Sequence, residues 1–135
     1  MAQSLFKMTH TPRSIDLPGA SHKAPIPAAA RVANILCTSA IAGKDPATAE
    51  LPADAATQAR NAFSNLRLLL QAGGASLLDV VKLSVTIKDN SVRDLVNEQW
   101  LACFPDPHDR PARHITVQDL QHGMWLQIEA MAVIR

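Results

Sequence analysis

Two short stretches of this sequence hold the residue types that can do chemistry on a small organic acid. In Pro111-Ala112-Arg113 a proline stiffens the entry to an extended segment and sets an arginine at its first position. A guanidinium is planar and permanently charged, and it grips a carboxylate through two parallel hydrogen bonds. The same arginine also suits an ion pair with one of the chain's own acids, and spacing leaves both readings open. In Leu126-Gln127-Ile128-Glu129-Ala130 a glutamate stands in an otherwise apolar run, where an unpaired charge is costly. Glu129 therefore needs a partner, and Arg113 is a candidate across the sheet. A structural ion pair and the activation of a water both fit it.

The remaining chemistry-bearing residues give weaker signals. Histidines at 10, 22, 108, 114 and 122 lack the i, i+4 pairing of a helical metal site and any neighbouring cysteine set, so no metal is expected. His22 and His114 flank the features above and can line a site or be ordinary surface histidines. No glycine-rich phosphate loop, Gly-x-Ser-x-Gly elbow or Ser-x-x-Lys motif occurs, which weighs against nucleotide use and acyl-enzyme chemistry. Cys37 and Cys103 sit in apolar runs without C-x-x-C spacing, which predicts buried, inert thiols of a reducing compartment.

The elements that position these residues follow from periodicity. Residues 1–22 read as an approach segment with a short strand near Ser4 to Thr9 and a loop through Pro18 to His22. Val32 and Ile35-Leu36-Cys37-Thr38-Ser39, broken at Ala33-Asn34, read as a hairpin leading to the loop Gly43-Lys44-Asp45-Pro46. Between Pro52 and Ala72 the apolar positions Ala59, Phe63, Leu66 and Leu70 recur at helical spacing, and Gly73-Gly74 supplies the stop. Strict alternation over Val81 to Lys88 predicts a half-buried strand with Val81, Leu83, Val85 and Ile87 on one face. Ser91 is read as the cap of a second helix through Val92, Leu95, Val96 and Trp100, which Pro105 and Pro107 terminate. Strands from about Arg113 to Gln118 and Met124 to Val133 close the chain.

The order β, β, α, β, α, β, β gives an α+β domain over residues 1–135, with two helices packed on one face of a mixed sheet. The other face then needs a polar surface or a partner. Ile115, Val117, Trp125 and Met131, read as outward, argue for a homo-oligomer. With 47% apolar and 19% charged residues and a net charge of +1, the chain has a globular balance and no basic stripe to track phosphates. Nucleic acid is not an expected partner. The absence of a long apolar run predicts a cytoplasmic protein without membrane attachment.

Several stretches, in order, resemble the RidA/YjgF family of imine and enamine deaminases. They are Arg31 to Ser39, Asp79 to Val85, Val96-Asn97, Pro111-Ala112-Arg113 and Ile128 to Val133. The resemblance runs from about Lys23 to the C-terminus. It implies a chorismate-mutase-like α+β fold and a homotrimer with clefts between subunits, and it implies no cofactor. In the family, the arginine matching Arg113 binds the substrate carboxylate. The position of a water-activating glutamate is taken here by Gln127, an early tyrosine's by Ile26, and the residue two beyond the arginine, often cysteine, is Ile115. Gln127 can orient a water but cannot serve as a carboxylate base.

His22, the run Pro25 to Arg31, Phe104-Pro105-Asp106-Pro107 and Arg113-His114 are more similar to the 2-aminomuconate deaminase branch. That likeness implies hydrolytic deamination of an enamine dicarboxylate from aromatic-ring breakdown. Arg113 would then hold one carboxylate and Arg31 or a protonated histidine the other, with His22 or Glu129 moving the proton. Two alternatives stand beside it: a broad imine deaminase of 2-aminoacrylate-like substrates, and a non-catalytic trimeric carboxylate binder, which Gln127 favours. Ribonuclease labels in the family fit poorly, since the chain has no tyrosine and few aromatics on which to stack bases.

Overall fold

A computed structural model describes residues 10–17 and 24–135, so the strand expected near Ser4 to Thr9 and the loop through His22 lie outside the described residues. Among the described residues seven strands form one mixed sheet: β1 (Ser14–Ile15), β2 (Ala29–Val32), β3 (Ile35–Thr38), β4 (Ile41–Ala42), β5 (Val80–Ile87), β6 (Ala112–Val117) and β7 (Leu126–Val133). Helices α1 (Ala55–Ala72) and α2 (Arg93–Cys103) cover one of its faces. The spatial order is β1-β2-β3-β7-β5-β6, with β4 also on β7. All pairings are antiparallel except β5 with β6, which are parallel because α2 carries the chain back between them. Among the described residues no helix is long and apolar enough to cross a membrane.

The predicted hairpin forms with Ala33 in the left-handed region (φ 54°) at its two-residue turn. Helix α1 starts later than the periodicity suggested, because Asp54 caps it by accepting from the Thr57 amide. Gly73 and the left-handed Gly74 end it as expected. Ala59, Ala62, Phe63, Leu66, Leu69 and Leu70 form one stripe and are buried against Leu36, Leu83, Val85, Leu126 and Ile128 of the sheet. Burial of each large side chain contributes about 1.5–3 kcal/mol. At Gly43 the chain passes so close to the Gln58 backbone that any Cβ would overlap it.

Other local expectations are corrected. The second helix is entered through a 3-10 turn over Asn90–Val92, capped by Asp89 and not Ser91: Asp89 accepts from the Ser91 amide and hydroxyl. A shift in register between Val80 and Lys82 breaks the alternation of β5, so Val80 is buried and Val81 faces outward while Leu83, Val85 and Ile87 remain inside. The short strands β1 and β4, two residues each, carried no periodic signal. Cys37 is exposed, since the hairpin register turns Leu36 and Thr38 inward instead. Cys103 is half-buried and its Sγ accepts from Arg67 at 3.3 Å; burial pushes its thiol up.

Candidate functional site

Register decides which predicted site residues share a face. Leu83 is the cross-strand partner of both Arg113 and Ala130, and Ser84 of both His114 and Glu129. Leu83 is buried beneath the helices. Arg113 therefore lies on the helix-covered side, with Ile115, whereas His114, Glu129 and Gln127 lie on the opposite, uncovered side. The proposed Arg113–Glu129 pairing is thus corrected: the two occupy opposite faces. Glu129 is exposed and forms no ion pair among the described residues.

Arg113 is positioned by a stiff segment. After α2, Asp106 accepts from the His108 amide at 2.9 Å, and Arg110 donates to the carbonyls of Phe104 and Pro105 at 2.8 and 3.3 Å. Pro111 then delivers the chain into edge strand β6. The Arg113 guanidinium lies over the Trp100 ring, 4.9 Å from its centroid, and Trp100 packs at 4.8 Å against Phe104. Its Nη1 is buried and has no hydrogen-bond partner among the described residues. Burial first, and the nearby Arg93 second, hold this guanidinium below its ordinary pKa. A cation with an unused buried donor has the chemistry of a binding site for an acid.

On the uncovered face, Glu129, Ser84 and His114 form one row across β7, β5 and β6, and Gln127, Thr86 and Thr116 form the next. Beside them β3 leaves the ladder: the Thr38 hydroxyl accepts from the Ala130 amide at 2.9 Å, and pairing resumes only at Ile41. Ile35 (50% exposed) and Met131 (40%) extend the face as apolar surface. The expected outward Ile115 and Trp125 do not belong to it. Ile115 packs partly on the core, and the Trp125 indole donates to the Ala53 carbonyl at 3.0 Å while its ring packs on the same core.

Arg31 is not near Arg113 within one subunit, because β2 and β6 lie toward opposite edges of the sheet. Its guanidinium donates to the Gly73 carbonyl at 2.7 Å and to the Ala33 carbonyl at 2.9 Å, tying the hairpin to the end of α1. Ile26 is exposed, before β2, and His22 lies outside the described residues. Among the described residues no group of three or more His, Cys, Asp or Glu is placed to hold a metal ion. A depression of about 290 Å³ lies at Leu51, Pro52, Lys88, His122 and Trp125 and does not include Arg113. Sequence reasoning missed Gln58. Fully buried, it donates to the Pro52 and Gly123 carbonyls at 2.7 and 2.9 Å and accepts from the Trp125 amide at 2.8 Å, fixing the approach to Gln127.

Fold and site together define an α+β protein that presents a half-covered arginine at the edge of a sheet whose other face is bare. The chain belongs to the family described as Endoribonuclease L-PSP, whose profile matches residues 21–134. It is 36% identical over 104 residues, 76% of this chain and 81% of the relative, to the 2-iminobutanoate/2-iminopropanoate deaminase of Escherichia coli strain K12. It is similar to the crystal structure of RidA from the Antarctic bacterium Psychrobacter sp. PAMC 21119, with TM-score 0.83, 31% identity, and coverage of 90% of this chain and 99% of that one. It is also similar to E. coli TdcF with bound serine, with TM-score 0.77, 27% identity, and coverage of 96% and 99%. The YjgF fold expected from the sequence is thereby shown.

Proposed function

We propose that this protein hydrolytically deaminates a small enamine or imine carboxylate, 2-aminomuconate or a similar intermediate of aromatic-ring catabolism, and releases ammonia. The observation that carries the reading is Arg113, a stacked guanidinium with a buried donor that no group of the described chain uses. A substrate carboxylate there supplies two charge-assisted hydrogen bonds and orients the adjacent C=N carbon. The enamine takes a proton on carbon to become the imine. Water then adds to the C=N carbon while the nitrogen gains a proton, and the carbinolamine collapses to a ketone and ammonia. Gln127 orients the water by hydrogen bonds, and Glu129 or His22 moves the proton.

Because Arg113 and Gln127 occupy opposite faces of one sheet, a complete cleft needs a second copy of the chain. A homotrimer with sites between subunits meets that need and covers Ile35 and Met131. His114 and Ile115, on either side of β6, then line neighbouring surfaces, and the exposed Ile26 reaches the cleft from the approach to β2. Two other readings have support. The names of the relatives favour a broad imine deaminase of 2-aminoacrylate-type substrates, and Gln127 favours a binder without catalysis.

The test is ammonia release from 2-aminomuconate and from 2-iminobutanoate, each generated in situ, by the parent protein and Arg113→Ala. Faster release from 2-aminomuconate, lost in the variant, supports the proposal. Preference for the monocarboxylate gives the broad deaminase, and saturable keto-acid binding without ammonia gives the binder. Parent rates in Arg113→Ala remove the carboxylate role.

A further inference from the structure

Arg93 opens helix α2, and Trp100 follows seven residues later, two turns along the same stripe. Trp100 is the ring over which Arg113 lies, so one helix face carries both a guanidinium and the platform for another. Arg93 is half-buried, and its Nη2 donates at 3.3 Å to Asn90 Oδ1, a neutral acceptor. Neither Arg93 nor Arg113 meets a carboxylate among the described residues, and residues 1–9 and 18–23 contain no aspartate or glutamate. The positive end of α2 adds to the field at Arg93. Asp94, in the same first turn, is exposed and forms no ion pair among the described residues.

Two cations served by one helix stripe, neither of them meeting a carboxylate among the described residues, leave their charge uncompensated within the chain, and an anion carrying two negative charges supplies the missing counterions. Arg31, the cation expected from the sequence to take a second carboxylate, is committed to the Gly73 and Ala33 carbonyls. We infer that Arg93 is the second anion-binding residue of the Arg113 site, and that the acid this site is built for is a dicarboxylate, one carboxylate on each guanidinium. The inference rests on the reading of Arg113 as a carboxylate anchor and deepens it, because it selects diacids over the monocarboxylic imines.

The test is calorimetric titration of the full chain with a keto monoacid, 2-oxobutanoate, and a keto diacid, 2-oxoadipate, together with sedimentation to record the oligomer. The parent protein should prefer the diacid, and Arg93→Gln should shrink the ratio of the two dissociation constants about tenfold, equivalent to about 1.4 kcal/mol. Arg93→Lys, which keeps the charge, should recover part of the preference. An unchanged ratio in Arg93→Gln, or loosened assembly with no change in ratio, overturns the inference. If Arg113→Ala loses both acids while Arg93→Gln keeps the ratio, the second cation alone fails. If Arg113→Ala binds both as the parent does, the anchor fails and the inference with it.

Discussion

Replacing Arg113 by methionine separates what the guanidinium does for a ligand from what it costs the empty fold. Nη1 carries two of the group's five N–H donors, and the residue as a whole is only half-buried, so the low end of the range for an unsatisfied group applies, about 1 kcal/mol. Arg93 adds repulsion to that cost. The stacking on Trp100 offsets about 0.5–1 kcal/mol at a partly exposed site, and methionine keeps a comparable sulfur contact with the same ring. Without ligand, Arg113→Met should therefore be more stable than the parent by about 1 kcal/mol, roughly 2–5 °C in melting temperature for a chain of this size. With a carboxylate at about a hundred times its dissociation constant, the parent alone should gain about 2.7 kcal/mol, and the order should invert. Thermal unfolding at fixed protein concentration, with and without 2-oxobutanoate, reads both effects. A variant that melts below the parent when empty, or that keeps the parent's ligand shift, refutes the reasoning.

Gln127→Glu should raise the deamination rate about tenfold or more by supplying a general base. Glu129, two residues on along the same face, should hold the new carboxyl above its usual range, and a pH–rate profile would show this as an acidic limb absent from the parent. Gly43→Ala should destabilise by about 3 kcal/mol or more, because a Cβ overlaps the Gln58 backbone; urea unfolding measures it, and a change below 1 kcal/mol contradicts the close approach. Hydrogen bonds from the Thr57 hydroxyl and amide hold Asp54 below the usual aspartate value, and those from Ser91 do the same for Asp89. Since both folded values are depressed, their contribution is fully present above about pH 4 and is lost as pH falls through the lowered values. Circular dichroism of Asp54→Ala and the parent between pH 6 and 2 should show a shallower acid loss in the variant.

The long elements were legible because their patterns are long: the stripe Ala59, Phe63, Leu66, Leu70 with its glycine stop, and the alternation of β5 and β7. What escaped depends on contacts between distant residues. The bulge after Val80 leaves no mark in the pair Val80-Val81, where either valine could face the core, and β4 is too short to show a period. The cap passed from Ser91 to Asp89 because a 3-10 turn precedes the helix. Arg113 was found from its proline entry, but the face it occupies follows from the parallel register with β5, which no local pattern encodes. That register is also why Glu129 is not its partner. Arg93 carried one usable signal, its seven-residue spacing to Trp100, which acquires meaning only when Arg113 is seen above the ring.

The parallel pairing of β5 and β6 has a consequence for how this protein tolerates change. Parallel neighbours require a crossover, and here the crossover is α2 itself, so the Arg113 guanidinium and the indole beneath it come from the single stretch 100–113. That stacked pair is thus encoded contiguously, while the hairpin and the closing strand contribute from far away in the chain. Drift in those remote parts alters how much folded protein a cell holds, whereas the seating of Arg113 on its indole is written into a few consecutive codons of one crossover.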